Sequence, residues 1–200
     1  MTELSAKRRK GSGTPSLDCD RGWLKRARRV PSPNCDDRPD PDDISLLVIH
    51  GISLPPGRFG GPWIDALFTN TLDPTADPYF QTISQLRVSA HLCIRRDGRL
   101  TQYVAFDQRA WHAGVSTFSG RERCNDFSIG IELEGADTTP YTARQYAQLI
   151  RVSAALLRTY PRIKPERIVG HSDIAPGRKT DPGPAFDWPR FRVGLRDRIK

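Results

Sequence analysis

The sequence predicts a single α/β domain built on a mixed central β-sheet flanked by helices. Three features carry this expectation. Short apolar, β-branched runs such as residues 44–49 have the pattern of buried strands. Arg96-Asp97-Gly98-Arg99 has the composition of a hairpin turn between two further strands. One long stretch from Thr142 repeats its apolar residues at helical spacing. Strands joined partly by a hairpin and partly through a helix do not all run one way, so the sheet is expected to be mixed.

The elements follow in order. Residues 1–20 read as a disordered basic arm and residues 21–200 as the folded domain. Pro31, Pro33, Pro39 and Pro41 make the lead-in to residue 43 extended and irregular. The run at 44–49 is a central strand, ended by His50 and followed by Gly51. Prolines and glycines in 53–62 predict a loop, with short helices expected at 63–68 and 79–86. Residues 88–94 and 100–104 flank the hairpin turn, and 127–133 form the next strand, leading into Glu132-Leu133-Glu134-Gly135. The long helix starts at Thr142, an N-cap with Gln145 as its capping-box partner, and stops at Pro161. Residues 167–170 form a last short strand, His171 opens a long loop to Pro184, and 188–199 form a terminal helix.

The formal net charge is +8, but nine Lys or Arg against three acids in the first thirty residues account for most of it. The excess sits at the entrance of the chain rather than on a face of the body, as a solvated or a binding arm, and no motif supports nucleic-acid binding. No segment approaches the roughly 18 apolar residues that span a bilayer, and residues 1–16 lack the apolar core of a signal peptide. Cys19, Cys35, Cys93 and Cys124 form no C-x-x-C pair. Reduced thiols in the cytoplasm are the simplest expectation.

There are four histidines, His50, His91, His112 and His171. His50 and His171 each follow a short apolar strand, where α/β folds place their ligand sites, and Asp181 shares a loop with His171. Two imidazoles and a carboxylate are a three-ligand set for zinc with a fourth position open, the mark of a catalytic site in which a water's pKa falls to about 7. Spacing alone favours the plainer reading, in which each is a hydrogen-bonded or surface histidine.

The motifs LLVIHGISLPPG, GGPWIDALF, LRVSAH, QYVAFDQRAWHAG, GRERCNDFSIGIELEG and GHSDIAPGRKTDPGPAFDW resemble the AmpD-type 1,6-anhydro-N-acetylmuramyl-L-alanine amidases. These belong to the type-2 amidase family, related to peptidoglycan recognition proteins. The resemblance runs from about Gly22 to Arg192. It implies that His50, His171 and Asp181 bind Zn2+, that Glu132 is the catalytic acidic residue, and that Lys179 is the basic residue two positions before the Asp ligand. It implies further that Arg87, Arg123 and Arg178 line a groove for the carboxylate-bearing stem peptide, with Trp111 as an aromatic wall.

Strand alternation puts Glu132 and Glu134 on one face, so periodicity leaves Glu134 as a rival. His91 and His112 fit either the groove or a structural role, Trp63 and Trp188 the core, and Cys93 and Cys124 small buried hydrophobes. One position departs from the family, where Asn commonly follows the first ligand and this chain has Gly51. The implied activity is cleavage of the bond between (anhydro-)N-acetylmuramic acid and L-alanine in cytoplasmic muropeptides during peptidoglycan recycling, by a monomer. An amidase of intact peptidoglycan and a muropeptide-binding module without catalysis are the alternatives.

Overall fold

The computed structural model describes residues 19–20 and 22–200. The arm expected over residues 1–20 lies outside the described residues, save Cys19–Asp20, which pair with Trp23–Leu24. Six strands form the central sheet: β1 (Arg28–Arg29), β2 (Leu46–Ile52), β3 (Leu92–Ile94), β4 (Leu100–Gln102), β5 (Ser128–Glu134) and β6 (Ile168–Gly170). Their spatial order is β6-β2-β5-β3-β4-β1. β5 runs parallel to β2 and β3, and β6 runs parallel to β2, while the β3–β4 hairpin is antiparallel. The sheet is mixed, as its connections require.

The helices are α1 (Trp63–Phe68), α2 (Phe80–Ile83), α3 (Ala143–Thr159), α4 (His171–Ile174) and α5 (Trp188–Ile199). Thr142 caps α3 through the expected box: its hydroxyl accepts from Gln145 N–H at 3.1 Å, and the Gln145 amide accepts from Thr142 N–H at 3.0 Å. Several elements differ from expectation: α2 covers only Phe80–Ile83 of the 79–86 expected, and β4 only Leu100–Gln102 of 100–104. β2 runs past His50 to Ile52, because Gly51 and Ile52 keep pairing with Leu133 and Glu134. Residues 88–91 stay outside β3, since Ser89 N–H is taken by the Trp111 carbonyl at 3.1 Å. His171 opens the one-turn helix α4 rather than a loop, its first turn held by Asp173 accepting from Gly170 N–H at 2.7 Å.

The two-residue period of the strands separates core from site. On one face Leu47, Ile49, Ile129, Ile131 and Leu133 pack under α3 and α5, against Leu149, Leu156 and Phe191. Each such side chain, fully buried, contributes about 1.5–3 kcal/mol. The alternate residues point the other way. Leu46 and Val48 form a smaller cluster with Phe127 and Ile174, and farther along the same strands His50 of β2 and Glu132 of β5 are directly paired in register. Gly170 of β6 pairs with Ile49, which brings His171 to the same end of the parallel strands. Trp63 and Trp188 pack against the core, and Cys93 and Cys124 are buried.

Candidate active site

At this end of the sheet the structure brings together what the sequence scatters over 130 residues. His50 Nδ1 lies 3.0 Å from His171 Nδ1, and Asp181 Oδ2 lies 3.3 Å from the first and 3.2 Å from the second. Among the described residues this is the one group of three such side chains close enough to share a cation. Ligands of a tetrahedral ion at about 2.0–2.1 Å stand about 3.3 Å apart, close to the spacing seen.

The polarity of the donors also fits. His171 Nε2 faces the Ala113 carbonyl at 3.2 Å. A carbonyl can only accept, so in the neutral ring the hydrogen sits there and the lone pair of Nδ1 points at the Asp181 oxygen. Two lone pairs in contact repel, and a cation between them removes the conflict. Burial pushes the His50 imidazole down to about 4, against the pull of Asp181, so near neutral pH its ring is uncharged.

The group opens into a cleft of about 510 Å³ lined by His50, His112, Glu132, His171, Lys179 and Asp181 among others. Glu132 is buried, and its Oε2 has no hydrogen-bond partner in the protein. Burial, then the charge of Asp181, raise its carboxyl well above the ordinary value, and Lys179 opposes them. A buried carboxyl that lines a cleft and has an oxygen without a partner in the protein is a candidate for chemistry.

Glu134 sits on the same face of β5 in a different environment. It accepts from Arg95 Nη1 at 3.1 Å, Arg96 N–H at 3.1 Å and Gly60 N–H at 2.6 Å. The two acids that periodicity leaves alike differ in their partners: Glu134 ties the loop at 60 to the hairpin. Replacing it by Gln weakens a buried ion pair, and Asp65 still faces Arg95 at 3.2 Å. We expect Glu134→Gln to cost about 3 kcal/mol in denaturant unfolding while metal affinity stays unchanged.

The four residues expected to bind substrate do not line the cleft. Arg87 is exposed at the rim, beside lining residues Leu86 and Val88, and donates to the Gln85 carbonyl at 3.3 Å. Trp111 gives its indole N–H to Asp36 at 3.1 Å. Arg123, with φ +60°, pairs with Asp126 at 3.3 Å. Arg178 donates to the carbonyls of Ala113 and Val115 at 2.7 and 2.6 Å.

His112 was left between groove and structure by the sequence, and it both lines the cleft and lies 2.9 Å from His50. His91 is structural: its Nδ1 accepts from Gly130 N–H at 3.0 Å and its Nε2 faces the Gln108 carbonyl at 3.0 Å. The sequence did carry one unread signal for His112. Gly130 interrupts a β-branched strand, and a Cβ built there would lie 2.5–2.7 Å from the His112 ring. Glycine inside a strand marks such a close approach. Alanine at an unobstructed strand site gains about 0.5–1 kcal/mol over glycine. Gly130→Ala is expected instead to lose about 1–3 kcal/mol by overpacking, read as a lower urea midpoint.

Gly51 has a similar explanation. A Cβ there would lie 2.5 Å from the Tyr141 hydroxyl, so that ring fills the space a side chain would take. The Tyr141 hydroxyl donates to the Pro182 carbonyl at 2.9 Å, next to Asp181.

A mixed α/β sheet whose parallel strands end beside two imidazoles and a carboxylate that could share a metal ion, with one further acid next to them, suits a hydrolase. The sequence profile of the N-acetylmuramoyl-L-alanine amidases matches residues 40–184, and the chain belongs to that family. It is 67% identical over 174 residues to the 1,6-anhydro-N-acetylmuramyl-L-alanine amidase AmpD of Escherichia coli K12, covering 87% of this chain and 94% of that one. A crystal structure of an AmpD derivative superposes with a TM-score of 0.86 at 66% identity, covering 88% of this chain and 98% of the other. The amidase AmiD of E. coli, solved with anhydro-N-acetylmuramic acid-L-Ala-D-γ-Glu-L-Lys, matches with a TM-score of 0.56 at 29% identity, over 86% of this chain and 61% of AmiD.

Proposed function

We propose that this chain is a zinc-dependent 1,6-anhydro-N-acetylmuramyl-L-alanine amidase. The observation that carries the reading is the convergence of His50, His171 and Asp181 beside the unpartnered carboxyl of Glu132. The names of the relatives and the substrate bound by AmiD support the anhydromuropeptide class.

His50, His171 and Asp181 would hold the ion. When bound, zinc supplies Lewis-acid polarisation of an amide carbonyl and lowers the pKa of a water. The chain's own groups do the rest. Glu132, as carboxylate, takes a proton from the attacking water and returns it to the departing alanine nitrogen. The Lys179 ammonium stabilises the negative charge that develops on the carbonyl oxygen. Both act on charge that exists mainly in the transition state, which is why they raise the rate rather than merely hold substrate. Arg87 and Arg123, at or near the surface, are the groups we assign to the stem-peptide carboxylates, and Trp111 and Arg178 shape the loop beside them.

We place the reaction in the cytoplasm, on muropeptides recovered during wall turnover. Cys35, Cys93 and Cys124 are free thiols, consistent with a reducing compartment. No helix among the described residues is long and apolar enough to cross a membrane. We assign the activity to the monomer.

The test pairs zinc analysis with a cleavage assay on anhydromuramyl-tripeptide. About one zinc per chain together with release of the peptide supports the reading. Zinc without cleavage would favour a muropeptide-binding module, and no zinc would overturn the mechanism.

A further inference from the structure

His50 reaches the candidate metal site with one ring nitrogen, and its other nitrogen starts a chain of hydrogen bonds that runs away from the cleft. His50 Nε2 lies 2.9 Å from His112 Nδ1. His112 Nε2 lies 3.1 Å from Ser128 Oγ, and Ser128 Oγ lies 2.5 Å from the Cys124 carbonyl. The direction of every hydrogen follows from the last member. A carbonyl only accepts, so Ser128 donates to it. The Ser128 oxygen is then left to accept from His112 Nε2–H. A neutral ring with its hydrogen on Nε2 has a bare Nδ1. That atom can only accept, and the donor facing it is His50 Nε2–H. His50 is left with its lone pair on Nδ1, aimed at Asp181 and His171.

We propose that His112 and Ser128 are positioning residues that lock His50 in the tautomer able to bind the metal. The proposal rests on the assignment of His50 as a ligand made above. The surroundings are built for this task. The Asn125 amide oxygen accepts from His112 N–H at 3.0 Å and from Ala113 N–H at 2.8 Å, fixing the backbone that carries the ring. Gly130 leaves the space the ring occupies. Ser128, Gly130 and Glu132 are alternate residues of β5, so one strand face receives the ring, gives it room and presents the acid. The same short segment serves both imidazoles, through the His112 side chain to His50 and through the Ala113 carbonyl to His171. Outer partners that orient metal-binding histidines are usually carboxylates or carbonyls. Here a second neutral imidazole takes that place, and it can do so only because Ser128 and Cys124 fix its own tautomer.

Zinc affinity by chelator competition tests this on wild type, His112→Phe, His112→Asn and Ser128→Ala, each checked for an intact fold by thermal unfolding. His112→Phe keeps a flat ring over Gly130 but removes the acceptor, and is expected to weaken zinc binding about 10–100-fold. His112→Asn offers an amide oxygen in place of Nδ1 and should recover most of that loss. In Ser128→Ala the His112 ring is free to exchange tautomers, with a smaller loss of affinity. Long-range proton–nitrogen NMR on the zinc-loaded wild type should find the His112 hydrogen on Nε2. A hydrogen on His112 Nδ1, or wild-type affinity in folded His112→Phe, would overturn the lock while leaving the metal assignment standing. Absence of zinc binding by the wild type would overturn both.

Discussion

Asp181→Ala is expected to release the metal and abolish hydrolysis together. Its Oδ2 is the third corner of a triangle whose other corners are the Nδ1 atoms of His50 and His171. Without the carboxylate two neutral imidazoles remain, which supply no charge to balance a dication in a largely buried site. The loss in zinc affinity should therefore exceed the roughly 10–100-fold typical of removing an outer partner. Metal content after dialysis and chelator competition measure it directly. A variant that keeps one zinc per chain at wild-type affinity would show that Asp181 is no ligand.

Glu132→Gln is expected to separate binding from chemistry. Gln keeps the size and some hydrogen-bonding capacity of the side chain but cannot take a proton from water. General acid–base catalysis contributes about 10²–10⁴-fold, and kcat should fall by that order with zinc content unchanged. Because Glu132 is buried without a partner, the neutral amide also removes a desolvation cost, so the variant should be at least as stable as wild type. Loss of activity with stability retained or raised would mark the residue as functional rather than architectural. Wild-type kcat in Glu132→Gln would instead return the assignment to another acid.

Much of this architecture was legible because local rules decide it. α1 and α5 lie where the sequence placed them, and the Thr142–Gln145 box forms as written, since capping depends on residues only three apart. The hairpin turns at Gly98, whose φ is +84°. What stayed hidden depends on pairing between distant segments. Nothing within residues 44–52 says that β2 continues beyond His50, because its last two residues owe their strand geometry to Leu133 and Glu134. The same holds at the site. His50, His171 and Asp181 were identifiable from motifs, yet Glu132 and Glu134 became distinct only when Arg95 and Gly60 were found on the second. His112 gained a role only through its neighbours His50 and Ser128. The arginine and tryptophan expectations rested on resemblance alone, and geometry puts those side chains outside the cleft lining.

The loop that carries Asp181 is fastened at three points to the segment entering α3 and to the first turn of α3 itself. Tyr141 Oη binds Pro182 O at 2.9 Å, the Asp137 carbonyl accepts from Ala185 N–H at 2.9 Å, and Tyr146 Oη accepts from Asp187 N–H at 2.7 Å. Tyr141 and Tyr146 both belong to the main core. Surface loops commonly open by local fraying at little cost. This one cannot lift away without disturbing the same side chains that hold α3 on the sheet. Its amides should therefore exchange with solvent at rates approaching those of global unfolding.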